Sequence, residues 1–156
     1  MAVQTGSLAT LALGTTAAAT TLAQFEADSY TSVGEVSEIG AFGDERKVVP
    51  WISLADARTR KARGSADAGD MMVTYGYDST NGGQDNLRTA FATVSQSADE
   101  FNFRVQLNDS LGSNPTTFYF RGKVTQRRVQ SISADNIVTV NATIAINSAV
   151  IEKESA

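Results

Sequence analysis

Three segments in the second half of the chain alternate apolar and polar residues, which is the pattern of strands that bury one face. These segments cover residues 101–107, 117–124 and 136–151. We therefore predict three strands, the last being the longest, with their apolar side chains directed into a common core.

The first half of the chain contains further strand-like segments. Residues 71–77 alternate clearly, residues 48–54 are mostly β-branched or aromatic, and residues 30–42 look extended but alternate irregularly. Pro50 lacks the backbone N–H that a central strand needs, so it is expected at an edge, a bulge or a strand start. Trp51 and the seven Phe residues are assigned to the core.

One segment, at about residues 85–96, has the spacing of an amphipathic helix instead. Its apolar residues recur at i, i+3, i+4 and i+7: Leu87, Ala90, Phe91 and Val94. This is one apolar stripe of about three helical turns, and Asp85 or a neighbour is the expected N-cap.

These patterns predict a mainly β fold: an antiparallel β-sandwich or partial barrel with one flanking helix and a long inter-strand loop at about residues 55–70. A chain of 156 residues fits a single domain over 1–156. Residues 1–28 are a candidate flexible N-terminal arm. Their apolar run is short and no Lys or Arg precedes Arg46, so we expect no secretory signal and synthesis in the cytoplasm.

Composition excludes several classes of function. The chain contains no Cys and no His, which removes thiol nucleophiles, disulfides, the usual general base and the commonest metal ligand. We therefore expect no enzyme and no cofactor. The net charge of −4 also argues against a surface that grips duplex DNA.

Two acidic patterns were considered as chemical sites. Asp78–Asp85 offers oxygen ligands beside glycines, but the spacing fails that of a calcium loop, whose positions 3, 5 and 12 are here Thr80, Gly82 and Thr89. Asp44/Glu45 and Asp99/Glu100 are adjacent pairs, and adjacent strand residues point to opposite faces, which disfavours a glycosidase. We predict neither a metal site nor a catalytic site.

A charged segment follows the strand around Trp51. Four cations, Arg58, Arg60, Lys61 and Arg63, precede two acids, Asp67 and Asp70. The segment is either a solvated connection between strands or a loop that docks on a partner. It contains no aromatic residues to stack on bases, which argues against nucleic acid as that partner.

Taken in order, these features resemble the tail tube proteins of long-tailed, non-contractile bacteriophages. In that family a G-x-x-D-x-G-like stretch precedes a strand and a helix, as Gly64–Gly69 does here. An F-x-G-x-V-T strand, here Phe120–Thr125, then leads through a loop to a long C-terminal strand, here 137–150. The resemblance covers residues 28–151 and depends on the order of the motifs.

The resemblance implies a structural virion protein whose six copies close into a ring and whose rings stack into a tube around a tape-measure protein. Implied partners are further copies of the chain, the tape-measure protein, and the tail-tip and tail-terminator proteins. DNA would pass through the tube without specific binding, and no membrane is involved. The implied location is the phage tail, after synthesis in the host cytoplasm.

The resemblance also suggests roles for individual residues. The loop at 55–70 would reach the adjacent ring, with Arg58, Arg60, Lys61, Arg63, Asp67 and Asp70 as its stacking residues. Glu35 and Glu38 would line an acidic lumen. Because they are three positions apart, a regular strand would put them on opposite faces, so either a bulge intervenes or only one is luminal.

Two other functions remain open at this point. A β-sandwich binding module, of the carbohydrate-binding or adhesin type, would show an exposed aromatic platform. A tube protein of a contractile tail or a secretion system would share the architecture, and neighbouring genes, with or without a sheath gene, would separate it from a non-contractile tail.

Overall fold

The computed structural model describes residues 3, 5–109, 114–130 and 132–155. Within them the chain forms ten strands and two helices. The strands are β1 Thr10–Leu13, β2 Thr31–Val33, β3 Val36–Ile39, β4 Glu45–Ile52, β5 Thr59–Asp67, β6 Asp70–Gly76, β7 Glu100–Gln106, β8 Thr117–Val129, β9 Thr139–Ile146 and β10 Ile151–Lys153. The helices are α1 Leu22–Glu26 and α2 Gly82–Ala92.

Eight strands form one antiparallel sheet in the order β2-β1-β7-β8-β9-β6-β3, with β10 paired to β8. Strands β2 and β3 stand at opposite ends of this order, yet only Gly34 and Glu35 separate them in sequence. The sheet must therefore curl until its two ends meet. This confirms the predicted mainly β, antiparallel partial barrel.

The core of the barrel follows the predicted alternation. In β9 every second residue, from Val140 to Ile146, is buried. Phe103 of β7 and Phe120 of β8 are fully buried and stack with ring centroids 5.5 Å apart. The strand predicted over 136–151 is shorter than expected, since β9 covers only Thr139–Ile146. After Ile146 the chain leaves β9, and it then forms β10, which pairs with the start of β8.

The start of helix α2 holds the two ends of the sheet together. The Gln84 side chain is buried, and its Nε2 donates to the carbonyl oxygens of Gly34 at 3.0 Å and Gly76 at 2.8 Å. The Asn81 side chain accepts from the backbone N–H of Gly34 and of Gln84. A Cβ at Gly83 would lie 2.0 Å from the carbonyl oxygen of Ser32, so glycine is required for this approach.

The helix is confirmed, but its predicted bounds are not. It begins after the N-cap Asn81 and ends at Ala92, rather than spanning 85–96 from Asp85. Leu87 and Ala90 are buried as predicted, whereas the other two stripe residues are exposed, Phe91 by 46% and Val94 by 95%. The Gly82–Gly83 pair reads as a turn in the sequence, but close packing against β2 requires it inside the helix.

The N-terminal region contributes to the sheet and to a second small cluster. Strand β1 lies between β2 and β7, and Leu11, Ala12 and Leu13 are buried. Helix α1, which the sequence analysis did not predict, places Phe25 against Tyr119 with ring centroids 5.7 Å apart. Neither α1 nor α2, the two helices of the described residues, is long and apolar enough to cross a membrane.

A polar network fixes the segment between β1 and β2. The Asp28 carboxylate accepts hydrogen bonds from the Thr15 backbone N–H at 2.9 Å, the Thr15 hydroxyl at 2.7 Å and the Asn102 amide at 2.7 Å. Asn102 is fully buried and also donates to the Ala17 carbonyl. Burial raises the pKa of Asp28, but the donors together outweigh it and lower the net pKa.

We predict that Gln84→Ala destabilises the fold by about 1–3 kcal/mol, because it leaves the half-buried carbonyls of Gly34 and Gly76 without this donor. Urea unfolding followed by circular dichroism measures the change. The matched control is Asn86→Ala, an exposed amide on the same helix, which should change stability by less than about 0.5 kcal/mol. Equal effects of the two substitutions would contradict the role given to Gln84.

Asp28→Ala should cost about 1–3 kcal/mol at neutral pH through the loss of charge-assisted hydrogen bonds. Because the folded-state pKa lies below the unfolded one, this stabilisation is complete above about pH 4. It is lost as the pH falls through the lowered folded-state pKa. The gap between the melting temperatures of wild type and variant should therefore narrow in acid, whereas Asp135→Ala, at an exposed turn, should show no gap at any pH.

Candidate functional site

Strands β4 and β5 form a separate two-stranded hairpin outside the barrel. Every residue of β4 is exposed, and so is every residue of β5 except the half-buried Gly64. The predicted loop at 55–70 is therefore wrong over Thr59–Asp67, which is strand, and the turn is confined to residues 53–58. A strand with neither face buried carries no apolar alternation, so the sequence pattern did not reveal it.

The hairpin displays apolar side chains to solvent. Trp51 is 72% exposed, which overturns its assignment to the core. The other large exposed apolar residues of the hairpin and its turn are Val48, Val49, Ile52 and Leu54. The β-branched and aromatic character of residues 48–54 predicts a strand, and that strand is present as β4, but the described residues leave these side chains exposed.

The strand register sorts the hairpin residues onto two faces, because directly opposed residues in an antiparallel pair share a face. Trp51 lies opposite Arg60, and Val49 opposite Ala62; we call this the Trp51 face. The other face carries these opposed pairs: Val48 with Arg63, Pro50 with Lys61, and Ile52 with Thr59. Both faces therefore combine apolar and cationic side chains.

The hairpin is the basic part of an acidic protein. Residues 45–67 contain six Lys or Arg and three Asp or Glu. The rest of the chain contains seven Lys or Arg and fourteen Asp or Glu. Asp56 at the turn binds the Arg60 guanidinium at 2.5 Å and accepts from the Arg58 backbone N–H at 3.2 Å. Such an exposed ion pair contributes at most about 1 kcal/mol, but it holds Arg60 beside Trp51.

The six predicted stacking residues do not form one cluster. Arg58, Arg60, Lys61 and Arg63 lie in the turn and the outer part of β5. Asp67 and Asp70 lie at the base, where the Asp67 carboxylate accepts from the Gly69 backbone N–H at 2.9 Å and Asp70 pairs with Ala145 in the main sheet. Gly69 has a φ of +71°, which allows the sharp change of direction between β5 and β6.

The two predicted lumen residues lie on one exposed face of the main sheet. A bulge at Ser37 shifts the register, so that Val36 opposes Tyr75 while Glu38 opposes Thr74. Glu35 occupies the turn between β2 and β3 with a φ of +59°, and its Cβ would lie 3.6 Å from a Cβ added at Gly76. The bulge resolves the odd spacing, and both acids border the side that carries Thr74 and Gly76.

This polar face continues across β6, β9 and β8. Asn141 lies opposite Thr74, and its Oδ1 accepts a hydrogen bond from the Thr74 hydroxyl at 2.8 Å. Arg128 lies opposite Asn141 on the next strand. The acids thus lie at the β3 side and a cation at the β8 side. The sequence analysis did not select Arg128, since a register shift after Val124 decides where its side chain lies.

The described residues contain no cluster of three or more acidic side chains that could hold a metal ion. A cavity of about 530 Å³ lies at the base of the hairpin beside Glu45, Lys47 and Asp67. The residues that line it are charged or small.

Comparison with solved structures identifies the architecture. A chain in the sheath/tube terminator of an extracellular contractile injection system (PVC) matches with a TM-score of 0.73 at 10% identity, covering 98% of each chain. The tube-terminating cap of the anti-feeding prophage matches with a TM-score of 0.71 at 12% identity, covering 99% of this chain and 95% of that one. The SPP1 tail tube matches with 0.65 at 13% identity, covering 94% and 77%.

The chain has the tail-tube fold. The tail of an empty gene transfer agent particle, refined with C6 symmetry, shares it too, with a TM-score of 0.67 at 11% identity over 97% and 99% of the two chains. No protein-family model and no curated protein sequence matches the chain. At these identities the likeness establishes the fold, and that fold occurs in a contractile injection system as well as in the SPP1 tail tube.

Proposed function

We propose that this chain is the structural subunit of a phage-type tail tube, in which six copies close into a ring and the rings stack into a hollow tube for DNA. The observation that carries the proposal is the exposed hairpin β4–β5 on a tail-tube fold.

The hairpin supports assembly because it is poorly suited to remain in water. An isolated two-stranded hairpin is marginally stable, and here both of its faces carry apolar side chains. Contact between the hairpin of one copy and a different surface of the next is heterologous, and heterologous contacts generate rings and filaments. The six-fold symmetry of the related particles supports a ring of six.

Charge supports a role for the same hairpin in stacking. In this proposal Arg58, Arg60, Lys61 and Arg63 approach acidic residues of the adjacent ring, where Asp67 and Asp70 at the hairpin base are available partners. The basic hairpin and the acidic remainder of the chain are complementary in sign. Such contacts steer association and weaken with salt.

The polar face of the sheet, with Glu35 and Glu38 on its β3 side, is the proposed lining of the lumen. On this face the carboxylates at the β3 side repel phosphates, and the Arg128 guanidinium lies apart from them at the β8 side. We infer that DNA passes such a wall without being held. The further partners are then the tape-measure, tail-tip and tail-terminator proteins. The chain would be made in the host cytoplasm and end in the virion tail.

We place the subunit in a long non-contractile tail, while the contractile-system neighbours favour a second candidate, the tube or tube terminator of a contractile particle. A sheath gene adjacent to this one would decide for the contractile particle.

The exposure of Trp51 also meets one requirement of a carbohydrate-binding module. That function predicts a monomer that binds glycans and does not form tubes.

Electron microscopy tests the assembly directly. Negative-stain images of the purified protein over a range of concentrations, with light scattering for mass, should show six-fold rings or hollow tubes. A tail-tip complex can be added as a seed if the protein alone stays monomeric. A chain that stays monomeric with the seed as well would overturn the tube proposal.

Charge reversal tests the stacking residues. Lys61→Glu with Arg63→Glu should shorten tubes, or leave unstacked rings, and should increase their sensitivity to salt, because like charges then face each other. The matched control reverses Arg88 on helix α2, whose partner is Asp85 of the same helix. Tube length and salt resistance that equal those of the Arg88→Glu control would count against the stacking role.

Substitution of Glu35 tests the polar face. Tubes of Glu35→Lys should retain double-stranded DNA at low salt and release it as the salt concentration rises. Wild-type tubes and tubes of Glu152→Lys, a charge-matched control near the C-terminus, should retain less. Equal retention by the two variants, measured by co-sedimentation, would remove Glu35 from the lumen.

A further inference from the structure

An apolar groove runs along the seam where the barrel closes. It measures about 220 Å³, and we call it the seam groove. Its walls are formed mainly by Val36 and Ile39 of β3, Phe42, Val105 and Leu107, and Glu38 stands among them. Phe42 forms an edge contact with Phe118, with ring centroids 5.3 Å apart, so this side of the groove is anchored in the core.

The groove exists because of how the sheet ends meet. Strand β2 covers the edge of β1 only over Thr31–Val33, and then the chain turns into β3. Strand β3 pairs with β6 along one edge, and no strand of the described residues pairs with its other edge. The result is an apolar slot beside an unpaired strand edge, a place where another chain can gain both burial and hydrogen bonds.

The chain carries on its hairpin a group that is chemically complementary to the groove. Trp51 projects from the exposed hairpin, whose two strands pair only with each other among the described residues. Arg60 lies opposite Trp51 and is held there by Asp56. An indole beside a guanidinium complements an apolar slot beside the Glu38 carboxylate in both shape and charge.

We propose that the Trp51 face of one copy docks in the seam groove of a second copy, with Trp51 among Val36, Ile39 and Phe42, and with Arg60 at Glu38. Since the donor and acceptor surfaces differ, the contact is heterologous: each copy gives one contact and receives one, and the contact can repeat from copy to copy along the proposed tube. This contact deepens the assembly proposed above and depends on it.

Trp51 reports on its own docking, because it is the only Trp in the chain. In assembled wild-type protein its fluorescence should shift to the blue, and the acrylamide quenching constant should fall severalfold relative to the dilute monomer. Leu54→Ala, which removes a fully exposed apolar residue from the hairpin turn, should assemble and show the same protection.

Filling the groove provides the specific test. Gly6 borders the groove and a Cβ there would meet no atom within 4 Å, so Gly6→Phe can plug it without disturbing the core. This variant should lose the protection of Trp51, and the control Ser7→Phe should keep it. Glu38→Arg, an exposed substitution, should weaken protection in the same direction, and circular dichroism checks that each variant is folded.

The outcomes separate this contact from tube assembly itself. Tubes in which Trp51 remains as accessible as in the monomer would overturn the docking and leave the tube proposal standing. Protection that survives both Gly6→Phe and Glu38→Arg would place Trp51 on another surface and also overturn it. A wild-type chain that never assembles, even with a tail-tip seed, would overturn both.

Discussion

The structure depends on the closure of a curled sheet across two residues. Because Gly34 and Glu35 are all that separate β2 from β3, the two ends of the sheet order are forced together. Gln84 and Asn81 then hold that junction through the Gly34 backbone. The close approach at Gly83 places the helix where both side chains can reach it.

Closure of the sheet divides the molecule into the barrel, which has a buried core, and the exposed hairpin β4–β5. The barrel buries most of its apolar residues in its own core, from Leu11 to Ile146. The hairpin does not, and its exposed Trp51 and neighbouring aliphatic side chains remain available for contacts outside the chain. The net charge divides in the same way, since the hairpin is basic and the rest of the chain is acidic.

Sequence patterns predicted the parts of the fold in which burial is one-sided. The alternation in β9 and the spacing of Leu87 and Ala90 in α2 predict correctly which of these side chains face the core. The hairpin strand β5 could not be found in this way, since both of its faces are exposed. For the candidate site, the charged residues could be named from the sequence. The bulge at Ser37, which puts Glu38 on the side of the sheet that Glu35 borders, depends on strand pairing and not on local pattern.

The position of β1 has a consequence for the order in which the chain can fold. Leu11 pairs with Val105, so the sheet cannot be completed until β7 has been synthesised. The hairpin β4–β5, by contrast, joins neighbouring segments and can form early, because short loops close at low entropic cost. The groove that contains Val105 and Leu107 arises only with β7. In the proposed docking, a nascent chain has its hairpin before it has the groove, so unfinished chains lack the acceptor surface and cannot propagate a polymer.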